Sequence, residues 1–290
     1  MIFLNKKVVI WGRGSIGIRH YKNLISLGYD VYFLRRNPKK KNEIEKKQLE
    51  ELNPSFCIIC TPTALHLKNA IFCLEKKIPT YIDKPLGYKE KKSQIKKLEK
   101  FSKKITIHGG FNLKYCKELN LFINKIKKKK NYNFAQFVWK TDMRKWHPWE
   151  NYKKSYAFKK NLGGGVIHTC SHEINIMRDF FDEVKFESLK KIYKEGICSA
   201  YDAYFKSKNT IININIDFMS KKKLRFVKFS DKKKEYIFDF YKFDYKKIND
   251  YSYISSIKDF ISCIKKRGLP KSNFKDALNT YKILEKLNNE

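Results

Sequence analysis

Lys7-Val8-Val9-Ile10-Trp11-Gly12-Arg13-Gly14-Ser15-Ile16-Gly17 decides the fold. Its first five residues read as a strand. Three glycines follow at G-x-G-x-x-G spacing, and a helical pattern then runs to about Leu27, where Gly28 stops it. The glycine spacing alone is a weak signal; between a strand and a helix it has the setting that a dinucleotide-binding turn requires. The first Gly permits the tight turn, the second lets the backbone approach a pyrophosphate, and the third lets helix and strand pack closely. The helix N-terminus then offers unpaired N–H groups to the phosphates. Gly12, Gly14, Ser15, Ile16 and Gly17 are the expected cofactor contacts.

Outward from this turn, strands alternate with helices. Asp30–Leu34, Phe56–Cys60, Thr80–Ile82 and Ile105–Gly109 read as strands, and Ala64–Lys76 and Lys89–Lys103 as helices. Asn37–Leu52 is polar and Lys-rich, with weak helical periodicity. Such alternation predicts an α/β fold, a doubly wound parallel sheet covered on both faces. The pattern changes after Asn112. The stretches 133–143, 185–193, 200–219 and 223–243 read as strands, many alternating at period two, so each has one buried and one polar face. One helix, Gly165 to about Phe181, interrupts them. Tyr253–Lys286 reads as helical, broken near Gly268-Leu269-Pro270. The expected organisation is a Rossmann domain over residues 1–112 and an α+β domain over 113–290. The second domain carries a mainly antiparallel open sheet, and its C-terminal helices pack back on the first domain.

Composition bounds the function. The 290 residues hold 64 Lys+Arg against 29 Asp+Glu, a net charge of +35, with 42% hydrophobic and 15% aromatic residues. That is too apolar and aromatic for a disordered chain. No apolar run approaches the roughly 20 residues of a membrane-spanning helix. The first residues lack the layout of a cleavable signal, so a cytoplasmic location is expected. The charge invites a nucleic-acid reading. Against it, only eight basic residues are Arg, and the Lys residues spread along the whole chain, whereas dedicated nucleic-acid surfaces lean on Arg for its fork of donors. Cys57 and Cys60 form a C-x-x-C within an apolar run and have no second pair; core thiols of a reduced protein are the expectation, and no metal site is predicted.

An NAD-preferring site places Asp or Glu at the end of the second strand, where it accepts from the ribose 2′-OH. Here the sequence is Leu34-Arg35-Arg36-Asn37. Arg35 and Arg36 suit a 2′-phosphate, so NADP is favoured, with NAD the alternative.

Together these residues resemble the glucose–fructose oxidoreductase / inositol dehydrogenase (Gfo/Idh/MocA) family. Gly12 through His20 is similar to its opening, and Thr61-Pro62-Thr63-Ala64-Leu65-His66 to its strand-to-helix turn lining the cofactor. Asp83-Lys84-Pro85 stands where the family commonly has Glu-Lys-Pro. Gly110-Phe111-Asn112-Leu113-Lys114 resembles the segment joining the two domains, and Gly163-Gly164-Gly165 leading to His172 the second-domain helix. The stretch from Lys154 to Glu173 is most like a subgroup seen beside surface-glycan and nonulosonate synthesis enzymes. The resemblance implies an NAD(P)-dependent oxidoreductase of a sugar or cyclitol hydroxyl. It adds Thr61, Pro62, His66, Asp83 and Lys84 to the cofactor contacts. It also implies an open second sheet that often meets another subunit, hence a homo-oligomer.

Hydride transfer from a carbinol needs a base for the hydroxyl proton. Lys84, beside Pro85, would stabilise developing alkoxide charge. His172 has a suitable ordinary pKa for the base. Many family members have Asp one helical turn before this His; the chain has His168 there. A neutral imidazole brings less than a fixed negative charge, and an imidazolium would repel Lys84, so His168 is a candidate for the proton relay. Asn112, Trp146 and Trp149 complete the expected substrate contacts, the Trp faces suiting the C–H face of a pyranose. Two rivals remain: a non-catalytic dinucleotide- or sugar-binding regulator, and a basic nucleic-acid-binding protein.

Overall fold

A computed structural model describes residues 4–129, 132–146 and 151–290 of the chain. Two compact units divide it: Met1–Asn112 with Tyr253–Leu278, and Leu113–Ser252 with Asn279–Glu290.

Unit one holds six strands: β1 (Lys7–Trp11), β2 (Asp30–Leu34), β3 (Glu43–Ile44), β4 (Cys57–Ile59), β5 (Thr80–Ile82) and β6 (Ile107–His108). They form one wholly parallel sheet in the order β3-β2-β1-β4-β5-β6. The order reverses at β1, so the carboxyl ends of β1 and β4 flank the switch point where doubly wound sheets bind ligands. The strands are short and apolar because both faces are covered. Helices α1 (Ser15–Ser26), α2 (Leu49–Leu52), α3 (His66–Glu75) and α4 (Lys92–Ser102) lie between them. Val8, Ile10, Phe33, Phe56, Ile58 and Tyr81 share a core with Ile257, Phe260, Ile261 and Ile264, which the later half of a C-terminal helix contributes. The polar segment 37–52 forms the edge strand β3 and the single turn of α2, where only weak helical periodicity was legible.

Unit two is built on strands β7 (Phe134–Asp142), β8 (Lys185–Lys194), β9 (Ile197–Ser207), β10 (Thr210–Asp217), β11 (Met219–Ser230) and β12 (Glu235–Asp239). Their order is β12-β11-β7-β10-β9-β8. Neighbours are antiparallel except β7 and β10, which run parallel. This is the mainly antiparallel sheet expected. The inner face, with Phe137, Ile212, Ile214 and Phe229, lies in the core.

The structure corrects two expectations and adds a helix. The stretch 200–219 is two strands, joined at Lys208-Asn209 with Lys208 at φ 51. A helix α5 (Lys117–Lys127) precedes β7; Leu119, Ile123 and Ile126 give it a buried stripe at helical spacing that its lysines obscure. The single helix from Gly165 to Phe181 is two: α6 (Val166–Thr169) and α7 (His172–Phe180). Cys170, at φ −105 and ψ 48, breaks the chain between them. His168 and His172 therefore stand on different helices, not one turn apart on one face.

Two further helices close the chain, α8 (Tyr245–Lys266) and α9 (Phe274–Asn289). Each contributes residues to both units. No helix among the described residues is long and apolar enough to cross a membrane.

Candidate functional site

The glycine turn links β1 to α1. Gly12 has φ +116, and a Cβ there would lie 2.4 Å from the Cys60 carbonyl oxygen; a Cβ on Gly17 would lie 2.1 Å from the Gly12 carbonyl oxygen. These two glycines are required by the turn itself. Gly14 differs: a Cβ would meet nothing within 4 Å. No steric contact requires that glycine, which is the N-cap of α1, and bare exposed backbone there leaves room for a phosphate to approach closely. No acidic side chain stands in the first turn of α1 and its N-cap residue makes no side-chain hydrogen bond, so the helix itself supplies no counter-charge to its positive end. The cradle fits a dinucleotide. Ser15 is exposed beside Gly14, and Ile16 is half-buried.

Arg35 and Arg36 follow β2 and are both exposed. The nearby acid is one that sequence reasoning passed over. Glu43 of β3 accepts the Lys39 N–H at 2.8 Å and lies 3.7 Å from Arg13 Nη1. The Lys39 N–H, with Arg35 and Arg13 adding, holds this carboxyl below its ordinary pKa.

The turns after β4 and β5 are stapled by His66. Its Nδ1 lies 2.8 Å from the Pro85 carbonyl oxygen and its Nε2 2.7 Å from that of Thr61. A neutral ring can donate to only one of them at a time. Burial holds the ring below its ordinary pKa, while the two carbonyls pull the other way. Both nitrogens thus face backbone, and His66 shapes the turn rather than reaching outward. Asn69 donates to Thr61 Oγ1 at 3.1 Å, and Pro62 is half-buried. Asp83 is buried and its carboxyl is pushed up to about 6 by burial, against the pull of Lys84. Lys84 is half-buried. Burial raises the Cys57 and Cys60 thiols, the opposite of a reactive pair. The described residues hold no group of three His, Cys, Asp or Glu able to bind a metal.

In unit two, the glycine triplet packs against its own chain. A Cβ on Gly164 would meet the Tyr156 and Ala157 carbonyl oxygens at 2.5 and 2.6 Å, and the Gly165 N–H donates to Ala157 at 2.8 Å. The close approach expected from three glycines is to the 156–157 backbone. His172 opens α7 and is buried. His168, on α6, lies 3.1 Å through Nε2 from Glu285 Oε1. Glu173 is also buried, and Arg225 Nε donates to its Oε1 at 2.8 Å. That guanidinium stacks 3.9 Å from the Trp139 ring centroid and donates to Tyr245 Oη at 2.6 Å. Sequence spacing gave no hint of Glu285 or Arg225, which come from distant segments.

Asn112 is buried at the end of the first segment of unit one. Trp146 is stacked on Trp139 with ring centroids 5.5 Å apart, and its indole N–H donates to Thr141 Oγ1 at 3.1 Å; one ring face and the N–H are already used. Trp149 lies outside the described residues. Lys84 belongs to unit one, and His168 and His172 to unit two.

No family model matches the chain, and no curated protein matches it. Solved structures do. A myo-inositol 2-dehydrogenase from Lactobacillus plantarum matches with a TM-score of 0.80 and 13% identity, covering 98% of this chain and 96% of that one. A levoglucosan dehydrogenase in complex with NADH and levoglucosan matches with a TM-score of 0.81 and 13% identity, covering 98% and 96%. A probable dehydrogenase from Thermotoga maritima matches with a TM-score of 0.75 and 15% identity, covering 94% and 93%. At these identities the likeness establishes the two-domain dehydrogenase fold.

Proposed function

We propose that the chain is a nicotinamide-dependent oxidoreductase of the Gfo/Idh/MocA family. Its substrate would be a hydroxyl or carbonyl group of a sugar, sugar nucleotide or nonulosonate used in surface-glycan synthesis. One observation carries this: a glycine turn with open backbone at Gly14, at the switch point of a sheet ordered β3-β2-β1-β4-β5-β6. Fold neighbours that include a levoglucosan dehydrogenase complexed with NADH support it.

When bound, the nicotinamide group accepts or supplies the hydride. The chain's own groups do the rest. The Gly12–Gly17 backbone and the N-terminus of α1 receive the phosphates. Thr61, Pro62 and Asp83 border the turn that His66 staples. Arg35 and Arg36 meet a ribose 2′-phosphate, which favours NADP over NAD; Glu43 is already engaged by Arg13 and the Lys39 N–H. Lys84 stabilises charge on the reacting oxygen. His172 exchanges its proton, and His168 shares the relay. Asn112 and the ring face of Trp146 that is not stacked on Trp139 contact the sugar. The outer face of the second sheet exposes Tyr204, Ile211, Leu224 and Ile237, which supports association with a second copy there.

Calorimetry tests the cofactor assignment. NADPH should bind more tightly than NADH, and replacing Arg35 with Asp and Arg36 with Ser should reverse the order. On a substrate from a sugar-nucleotide and nonulosonate panel, Lys84→Ala and His172→Ala should each lower kcat, on the order of 10²–10⁴-fold, with cofactor affinity little changed. If neither dinucleotide binds, the proposal fails. Tight binding with no turnover on the panel would favour a non-catalytic regulator.

A further inference from the structure

The family resemblance puts a carboxylate at position 168, where this chain has an imidazole. A carboxylate nevertheless stands beside it. Glu285 Oε1 lies 3.1 Å from His168 Nε2, and the two side chains are 17% and 1% exposed. Glu285 belongs to α9, within Asn279–Glu290 of the same unit. This end of α9 is tied down on both sides of Glu285. Asn175 of α7 donates to Thr280 Oγ1 at 3.0 Å between two buried side chains, and Lys191 of β8 donates to the Asn288 carbonyl at 3.3 Å. The carboxylate is therefore carried on a fixed helix and not on a mobile surface arm.

We propose that Glu285 is a positioning residue: it orients His168 and supplies through it the negative charge that the resembled family places at 168 itself. This rests on the oxidoreductase reading above. A carboxylate only accepts hydrogen bonds, so the His168 nitrogen facing it carries a proton. In the neutral ring this fixes the Nε2–H tautomer and leaves the lone pair on Nδ1. Should the ring take a second proton, the pair with Glu285 has no net charge, whereas an isolated imidazolium would add a positive one. His168 is then an asset to a proton relay, where a lone histidine would be a defect.

The test needs histidine-labelled protein and three variants, Glu285→Gln, Glu285→Asp and Glu285→Leu. Long-range ¹H–¹⁵N spectra at pH 8 should show His168, identified by the signal lost in His168→Asn, as the Nε2–H tautomer. Glu285→Leu should release that preference. In kinetics, Glu285→Gln should lower kcat by roughly 10- to 100-fold, the usual cost of removing a group that orients a functional histidine, with the cofactor KM unchanged. Glu285→Asp should recover part of the loss. An Nδ1–H tautomer in the unaltered protein, a His168 signal indifferent to Glu285→Leu, or a folded Glu285→Gln with full kcat would each overturn the proposal. Absence of turnover by the unaltered protein would instead fault the oxidoreductase reading, and the spectra would still decide whether Glu285 sets the ring.

Discussion

His20 sits fully buried in α1 with neither ring nitrogen hydrogen-bonded. The edges and faces of Tyr81 and Tyr253 surround it, with ring centroids 5.2 and 5.5 Å away. Burial first, then the Arg19 charge, pushes its pKa down to about 3. Between that value and the ordinary 6.5 the unfolded chain binds a proton that the folded one refuses. Stability is therefore full above pH 6.5 and is lost as pH falls towards 3. Asp83 has the opposite sign. Its carboxyl, raised to about 6, contributes stability at low pH that is lost as pH rises through 6. Comparison with variants isolates each. Relative to the unaltered protein, His20→Phe should gain about 2 kcal/mol more at pH 5 than at pH 7, while Asp83→Asn should gain most above pH 6. Thermal melts at pH 4.5, 5.5 and 7 read both; a difference between His20→Phe and the parent that stays constant with pH would refute the assignment. The sequence displayed His20 beside the glycine turn, but nothing local in it reveals that the two nitrogens lack partners. Glu285 was less legible still: it meets a histidine 117 residues away, and long-range pairing leaves no spacing to read.

Elements whose cause is local were legible. The strand–glycine–helix unit at 7–26 needs only an apolar run and three glycines at fixed intervals, and its geometry follows. The break between α6 and α7 has no such signature: no Gly or Pro marks Cys170, while Gly165 before it donates to the Ala157 carbonyl and His168 meets Glu285. The same holds for the link between α7 and the sheet. Glu173, one residue after His172, is locked to Arg225 of β11, and Arg225 is held by Trp139 of β7 and Tyr245 of α8. Both charges are buried, and Glu173 holds the guanidinium protonated beyond its ordinary range although burial opposes it. Removing one partner strands the other's charge. Arg225→Leu should thus destabilise the protein by about 3–5 kcal/mol, and Glu173→Leu by a similar amount. The double variant should cost clearly less than the two singles combined, since no lone charge remains. A double-mutant cycle by thermal melting measures this; additive losses would mean that the two side chains do not act as a pair.

For the whole molecule the dominant fact is charge. Paired one to one, 29 acidic residues can neutralise at most 29 of 64 basic ones, and several acids are already committed inside the fold, Glu173 to Arg225 and Glu285 to His168. The remaining cations repel one another, which disfavours the compact state. Dissolved salt shortens the range of that repulsion, from about 30 Å at 0.01 M to about 8 Å at 0.15 M. Screening also weakens attractive pairs such as Lys228–Glu235, but exposed pairs contribute little to begin with. The balance predicts that sodium chloride raises the melting temperature. Relief of even about 1 kcal/mol should move it by roughly 2–4 °C for domains of this size. Sodium chloride is the right salt, because sulfate would strengthen apolar burial independently of charge. The same charge should make this protein stick to duplex DNA at low salt. Because the lysines are dispersed and arginines few, that binding should disappear steeply with salt and show no preference between sequences. Melting curves between 20 and 300 mM sodium chloride, with DNA retention measured across the same range, test both statements. A melting temperature that falls with salt would show that ion pairs, not repulsion, govern the stability of the chain. Sequence-selective retention at 150 mM would show a dedicated nucleic-acid surface in place of a diffuse cationic one.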